Sequence, residues 1–126
     1  MNPAAHRCLI VDDSTAFCLA AREMLESAGM TVVGTASTLA TAVESARATR
    51  PDLILADIDL GGESGFDVVE ALHATDPLAM VILVSTHDEE DFAEMVESSS
   101  AIGFLPKFEL SAELIVNMAS RSSSRG

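Results

Sequence analysis

The chain has 126 residues and is strongly acidic, with 20 acidic side chains, 7 basic ones and a formal charge of −13. A chain of this length suits one domain with one core, and 48% hydrophobic residues argue against disorder. The acidity argues against nucleic-acid binding by this chain alone and against docking on anionic membranes, because both are bound by clustered Lys and Arg. Lys107 is the only lysine.

Signals for export or membrane insertion are absent from the sequence. No apolar run approaches the roughly 18 residues that cross a bilayer, and residues 1–7 lack the apolar stretch of a secretory signal. Cys8 and Cys18 are too few for a disulfide scaffold, so we expect two buried free thiols. We therefore expect a cytoplasmic protein.

Five short apolar runs alternate with five stretches of helical periodicity. The runs predict strands over 8–11, 30–36, 53–56, 80–84 and 102–105. The stretches between them predict helices over about 14–28, 37–50, 64–73 and 88–99 and from 111 onward. We expect one domain over residues 1–120 and a disordered tail over residues 121–126.

The spacing of apolar residues also predicts which side chains face the core. Met95 is expected to face inward beside Phe92 and Val96 in the fourth helix. Leu114 is expected to do so with Ile115 and Met118 in the last helix. We interpret His6 and His73 as surface residues.

The strands are continuous apolar runs, which indicates burial on both faces and hence a parallel sheet between helical layers. Right-handed crossovers then bring the carboxyl ends of all strands to one edge, where open α/β sheets bind ligands. The polar residues at these ends are Asp12, Asp13, Asp57, Ser85 and Lys107.

These five residues predict phosphoryl chemistry once they converge. Asp12 and Asp13 alone would most often be loop or helix-cap residues. Three neighbouring carboxylates repel unless a cation is present, and Mg²⁺ prefers such oxygen ligands. Lys107 and the Ser85 hydroxyl offer a positive charge and a donor for phosphoryl oxygens, and Asp57 is placed to be the nucleophile.

With these residues in order, the chain resembles a receiver domain of the two-component response regulators, similar in layout to single-domain chemotaxis regulators. The resemblance covers about residues 7–120. It implies a flavodoxin-like α/β fold, with a five-stranded parallel sheet in the order 2-1-3-4-5 and helices on both faces. The matching positions are Asp12, Asp13, Asp57, Gly65, Ser85 and residues 104–107.

The resemblance also implies a reaction and a ligand set. Family members accept a phosphoryl group from the phosphohistidine of a sensor histidine kinase or phosphotransfer protein. Asp57 would be the phosphoacceptor and a ligand of Mg²⁺, for which Mn²⁺ can substitute. Asp12, Asp13 and the backbone carbonyl of Asp59 would complete the metal site.

A switch is implied as well. Ser85 would move to bond the phosphoryl group, Lys107 would pair with that group, and Phe104 would turn inward. Partner binding would then change on the surface around helix 4, strand 5 and helix 5, towards an unknown downstream protein. Glu90, Glu94 and Glu97 crowd that surface, so we expect a monomer or a weak dimer.

Four positions depart from the family pattern or vary within it. Thr86 stands where Ala or Gly is usual, and its β-branched side chain would narrow phosphoryl access or hinder the switch. Phe104 lacks the hydroxyl of the commoner Tyr. Asp59, Thr86 and His87 are expected to modulate the lifetime of the phosphorylated state.

We expect a phosphoacceptor signalling domain rather than an enzyme, with at most self-phosphorylation from small donors and self-dephosphorylation. Two alternatives keep the fold: a receiver cut from a larger DNA-binding regulator, and a pseudo-receiver that works without phosphate. A remote alternative is a phosphatase similar to the haloacid dehalogenases, because Asp57-Ile58-Asp59 mimics their Asp-x-Asp signature.

Overall fold

The computed structural model describes residues 6–86 and 92–124, and of residues 122–124 it describes only the backbone. Strands and helices alternate along this part of the chain. The strands are β1 Arg7–Val11, β2 Thr31–Ala36, β3 Leu53–Asp57, β4 Met80–Ser85 and β5 Gly103–Pro106. The helices are α1 Thr15–Ser27, α2 Leu39–Thr49, α3 Gly65–Thr75, α4 Ala93–Ser98 and α5 Ala112–Ser124, and a 3-10 turn, Lys107–Glu109, follows β5.

The five strands form one sheet in the order β2-β1-β3-β4-β5, with every neighbouring pair parallel. The predicted fold is therefore confirmed. In the register Val11 pairs with Ala56, Asp57 with Val84, and Ser85 with Pro106. The ends of the four strands β1, β3, β4 and β5 consequently lie side by side at one edge.

Strands β1, β3, β4 and β5 are buried on both faces, as their apolar runs predict, whereas the edge strand β2 leaves Thr31 and Thr35 exposed. Successive residues alternate between two cores, so that Leu9 and Ile54 belong to one cluster while Ile10 and Leu55 belong to the other. Helices α2 and α3 contribute to the first cluster, and α1 and α5 to the second. This double burial fixes the register, because a one-residue slip would exchange the two faces.

Local signals place the helix ends where the sequence predicts them. The Ser14 hydroxyl accepts a hydrogen bond from the Phe17 N–H at the start of α1, and Thr38 forms a capping box with Thr41 at the start of α2. Gly29 has a φ of 93° and its N–H donates to the Glu26 carbonyl after α1.

Three predictions about exposure are wrong. His6 is only 4% exposed, because β1 begins a residue earlier than predicted and the His6 carbonyl accepts a hydrogen bond from the Thr31 N–H. Met95 and Leu114 are 52% and 40% exposed. Helices α4 and α5 each bury only a narrow stripe of side chains, which includes Val96 in α4 and Ile115 in α5. Met95 and Leu114 precede these buried residues and lie beside the stripe.

The end of the last helix and the burial of one cysteine also differ from the predictions. Helix α5 continues to Ser124, four residues into the predicted tail, because each residue added to an existing helix gains a backbone hydrogen bond. Cys18 is half-buried rather than buried, whereas Cys8 is buried, and both are free thiols. The predicted start of the fourth helix, 88–91, lies outside the described residues.

The first residue of α3 packs against the end of β3. The Gly65 N–H donates to the Ile58 carbonyl at 2.6 Å. A Cβ at this position would collide with the carbonyl oxygen of Asp57 and lie 2.6 Å from Ile58 Cα. Glycine therefore lets α3 begin directly beside the backbone of Asp57.

We predict that Gly65→Ala lowers the free energy of unfolding by about 1–3 kcal/mol, because backbone atoms must shift to admit the methyl group. Urea unfolding measures the effect. Gly34→Ala is the matched control, since its Cβ would meet only Leu9 Cδ1 at an ordinary 3.7 Å. Equal stability of the two variants would contradict the packing argument.

Candidate functional site

The predicted site residues lie at the carboxyl edge of the sheet. Asp12 and Asp13 follow β1, Asp57 ends β3, Ser85 ends β4 and Lys107 follows β5. Asp12, Asp13 and Asp57 each offer one carboxylate oxygen within 4.8 Å of the others. The convergence expected from a parallel sheet is thus present in the structure.

A single ammonium lies among these carboxylates. Lys107 Nζ is 2.7 Å from Asp12 Oδ2 and 3.1 Å from Asp57 Oδ2. Three ionised carboxylates and one ammonium would leave this cluster with a net charge of −2. Asp12 Oδ2 is buried, and within the described part of the chain its 2.7 Å contact with Lys107 is an ion pair rather than a well-directed hydrogen bond.

Backbone groups orient the other oxygens of the two buried carboxylates. Asp12 Oδ1 accepts a hydrogen bond from the Ser14 N–H at 2.8 Å. Asp57 Oδ1 accepts one from the Asp59 N–H at 3.1 Å. Both side chains are thereby held with Oδ2 towards Lys107.

The protonation of Asp57 reflects this crowding. Burial raises the pKa of Asp57 above its ordinary value, and the negative charge of Asp12 adds to that effect, whereas the bonds from the Asp59 N–H and Lys107 oppose it. Burial lowers the pKa of Lys107, but its close contacts with the Asp12 and Asp57 carboxylates outweigh burial and raise the pKa overall. The ammonium is therefore stabilised in its charged form.

The loop after β3 lies against the third carboxylate. Gly61 has a φ of 62°, and a Cβ there would lie 2.7 Å from Asp13 Oδ2. Glycine at this position thus serves both the left-handed backbone and the close approach to Asp13. The loop backbone and the exposed Asp13 carboxylate border the same space beside Asp12 and Asp57.

Of the three residues predicted to modulate the lifetime of the phosphorylated state, two lie within the described part of the chain. The exposed Asp59 side chain accepts a hydrogen bond from the Gly61 N–H at 3.1 Å, so it folds along its own loop. Thr86 is exposed directly after β4. His87 lies outside the described residues, and the roles of all three stay predictions.

The two predicted switch residues are both buried, Ser85 at 3% and Phe104 at 5% exposure. The Phe104 ring belongs to a row of aromatic rings: its centroid is 6.4 Å from that of Phe92, which is 6.4 Å from that of Phe66. Phe104 therefore occupies an inward position, packed beside the residue that precedes α4.

One residue beside the site was missed by the sequence patterns. Phe17 follows the helical spacing of core residues in α1, yet Lys107 Nζ lies 4.3 Å from its ring centroid. No local pattern could reveal this contact, because it joins the first helix to the loop after the last strand.

Comparison with known proteins identifies the family. The model of the response regulator receiver domain matches residues 8–119. The chain belongs to the response regulator receiver family. The Asp57-Ile58-Asp59 run therefore lies at the end of β3 and in the following loop of a receiver, and the family match gives no support to the haloacid-dehalogenase alternative.

The chain matches only part of the length of two curated relatives. The chain is 35% identical over 106 residues to a protein-glutamate methylesterase/protein-glutamine glutaminase of Methanosarcina mazei, covering 82% of this chain and 29% of that one. It is 28% identical over 101 residues to the transcriptional regulatory protein PdtaR of Mycobacterium tuberculosis, covering 80% and 49%. The chain thus spans half or less of these relatives.

Solved receiver structures agree with the fold. The N-terminal domain of a response regulator/sensory box/GGDEF protein from Carboxydothermus hydrogenoformans superposes with a TM-score of 0.78 at 32% identity, covering 94% of this chain and 97% of that one. Within the described residues, no helix of this receiver is long and apolar enough to cross a membrane.

The raised pKa of Asp57 predicts a pH-dependent effect of Asp57→Asn on stability. As pH rises past the ordinary carboxyl pKa of 3.8, the unfolded chain ionises first while the folded receiver still holds the proton. Ionisation therefore costs the folded wild type stability that the variant keeps. Urea unfolding across pH, without divalent cations, should show the variant's relative stability growing as pH rises; a constant difference would contradict the assignment.

Proposed function

We propose that this receiver accepts a phosphoryl group on Asp57, in a Mg²⁺-dependent reaction, from a sensor histidine kinase or a histidine phosphotransfer protein. One observation carries the proposal. The Asp57 carboxylate lies at the strand edge with Lys107 Nζ at 3.1 Å and the Asp12 and Asp13 carboxylates within 4.8 Å. Nucleophile, compensating cation and candidate metal ligands therefore meet at one point.

The residues present fit a hard divalent cation. The cluster carries excess negative charge, and Gly61 keeps the space beside Asp13 clear of a side chain. Asp12 Oδ2 is buried and, among the residues that the structure describes, receives no well-directed hydrogen bond. Asp12, Asp13 and Asp57, with the backbone carbonyl of Asp59, would hold Mg²⁺. When bound, Mg²⁺ supplies positive charge that offsets the negative charge of phosphoryl oxygens.

The chain's own residues carry the transfer. An Asp57 carboxylate oxygen forms a bond to phosphorus as the bond from phosphorus to the donor's imidazole nitrogen breaks. The imidazole leaves with that electron pair and takes up a proton. Lys107 stabilises the transferred oxygens by its charge, and the Ser85 hydroxyl offers them a hydrogen bond.

We propose that the signal leaves through α4, β5 and α5. Phe104 of β5 packs against Phe92 at the start of α4, and β5 pairs with β4, which ends at Ser85, so β5 connects the site edge to that surface. Glu94 and Glu97 are exposed on α4, whereas Glu90 lies outside the described residues. This acidity disfavours pairing of two copies through α4 and supports a monomer or weak dimer.

We propose a cytoplasmic phosphoacceptor without catalytic turnover of other substrates. A second candidate is a receiver that is part of a larger regulator. It is favoured by the lengths of the relatives, of which this chain spans 29% and 49%, one of them named as a transcriptional regulatory protein. Both candidates predict the same chemistry at Asp57.

Incubation with acetyl phosphate and Mg²⁺ should add one phosphoryl group per chain, measured by intact mass. Asp57→Asn should abolish this uptake, because the amide is not a nucleophile. Asp67→Asn, an exposed acid in the first turn of α3, is the control and should retain uptake. No uptake by the wild type would favour the pseudo-receiver, and unchanged uptake by Asp57→Asn would overturn the assignment.

Mg²⁺ should raise the thermal unfolding midpoint by binding only the folded site. At a Mg²⁺ concentration about a hundred times the dissociation constant, the gain in the free energy of unfolding is about 2.7 kcal/mol. A chelator should reverse this gain. Asp13→Asn should lose most of this gain, whereas Asp67→Asn should keep it. A rise of equal size in both variants would place the cation elsewhere.

A further inference from the structure

Lys107 has an uncharged contact besides its two carboxylates. Its ammonium lies 4.3 Å from the centroid of the Phe17 ring, within the range of a cation–π interaction. Both side chains are half-buried, so the contact is partly shielded from water. Such shielding strengthens the attraction between a cation and a ring face.

The contacts around this ring form a continuous series that begins and ends at Lys107. The Ser14 N–H donates to Asp12 Oδ1 at 2.8 Å, and the Phe17 N–H donates to the Ser14 hydroxyl at 3.2 Å. Lys107 then lies over the Phe17 ring and 2.7 Å from Asp12 Oδ2. The cap that begins α1 therefore places both a carboxylate and an aromatic face around the same ammonium.

The ring differs from the carboxylates in one respect that matters for phosphoryl transfer. Asp12 and Asp57 are candidate metal ligands, and a carboxylate shared with a divalent cation attracts an ammonium less strongly. The Phe17 ring carries no formal charge and does not bind Mg²⁺. Its hold on Lys107 is therefore independent of what the carboxylates bind.

We propose that Phe17 is a positioning residue whose ring face keeps the Lys107 ammonium beside Asp57 during phosphoryl transfer. This inference rests on the proposed phosphoacceptor function. It also makes a structural claim about Lys107 that is measurable without any phosphoryl donor.

The structural claim is tested by NMR of protein labelled at lysine, because the sole lysine makes every lysine side-chain signal that of Lys107. The Phe17 ring current should displace the signals of the methylene next to the ammonium. Phe17→Leu should abolish this displacement and Phe17→Tyr should keep it. Leu19→Ala removes an exposed apolar side chain from the same helix and should leave the signals unchanged. Unchanged signals in Phe17→Leu would overturn the proposal.

The functional claim is tested by the rate of phosphoryl uptake from acetyl phosphate. Phe17→Leu should slow uptake about threefold to tenfold, while Phe17→Tyr stays near the wild type. In a Lys107→Met background, Phe17→Leu should have no further effect, because it acts through the missing ammonium. An equal slowing in both backgrounds would show a general packing effect and overturn the positioning role.

Failure of the proposed function gives a different result. A wild type that takes up no phosphoryl group would reject the phosphoacceptor role, and with it the role of Phe17 in transfer. If Phe17→Leu fails to fold, Phe17→Met, which has a flexible apolar side chain and no ring, takes its place in both experiments.

Discussion

The receiver is organised around an imbalance of charge at one edge of its sheet. Three carboxylates share that edge with a single ammonium, and the ammonium touches two of them at 2.7 and 3.1 Å. Burial raises the pKa of Asp57, so its ionisation has a free-energy cost in the folded receiver. The surrounding structure keeps the carboxylates together despite this cost, which leaves the site ready for a further positive charge.

The means of keeping them together are mostly backbone contacts. The Ser14 and Asp59 N–H groups orient the two buried carboxylates, and two glycines admit close approaches. Gly61 lets the loop after β3 lie against Asp13, and Gly65 lets α3 begin beside the backbone of Asp57. Packing of two apolar cores against both faces of the sheet then holds these segments in register.

Much of the site was predictable because its chemistry lies in residue types at strand ends. Asp12, Asp13, Asp57 and Lys107 each follow a buried apolar run, and parallel strands bring such residues together. The exposure of Met95 and Leu114 was mispredicted, since periodicity marks the apolar side of a helix but not the width of the stripe that it buries. The buried His6 was missed because its backbone pairs beyond the predicted strand.

The sequence by itself determined the class of fold, the order of elements and the groups that can meet at the sheet edge, since these follow from local periodicity and chain connectivity. Only the tertiary structure decided which oxygens face Lys107 and that Phe17 lies under the ammonium. These contacts join segments up to 95 residues apart, from Asp12 to Lys107. Packing of the whole chain, rather than any local preference, sets the distances between them.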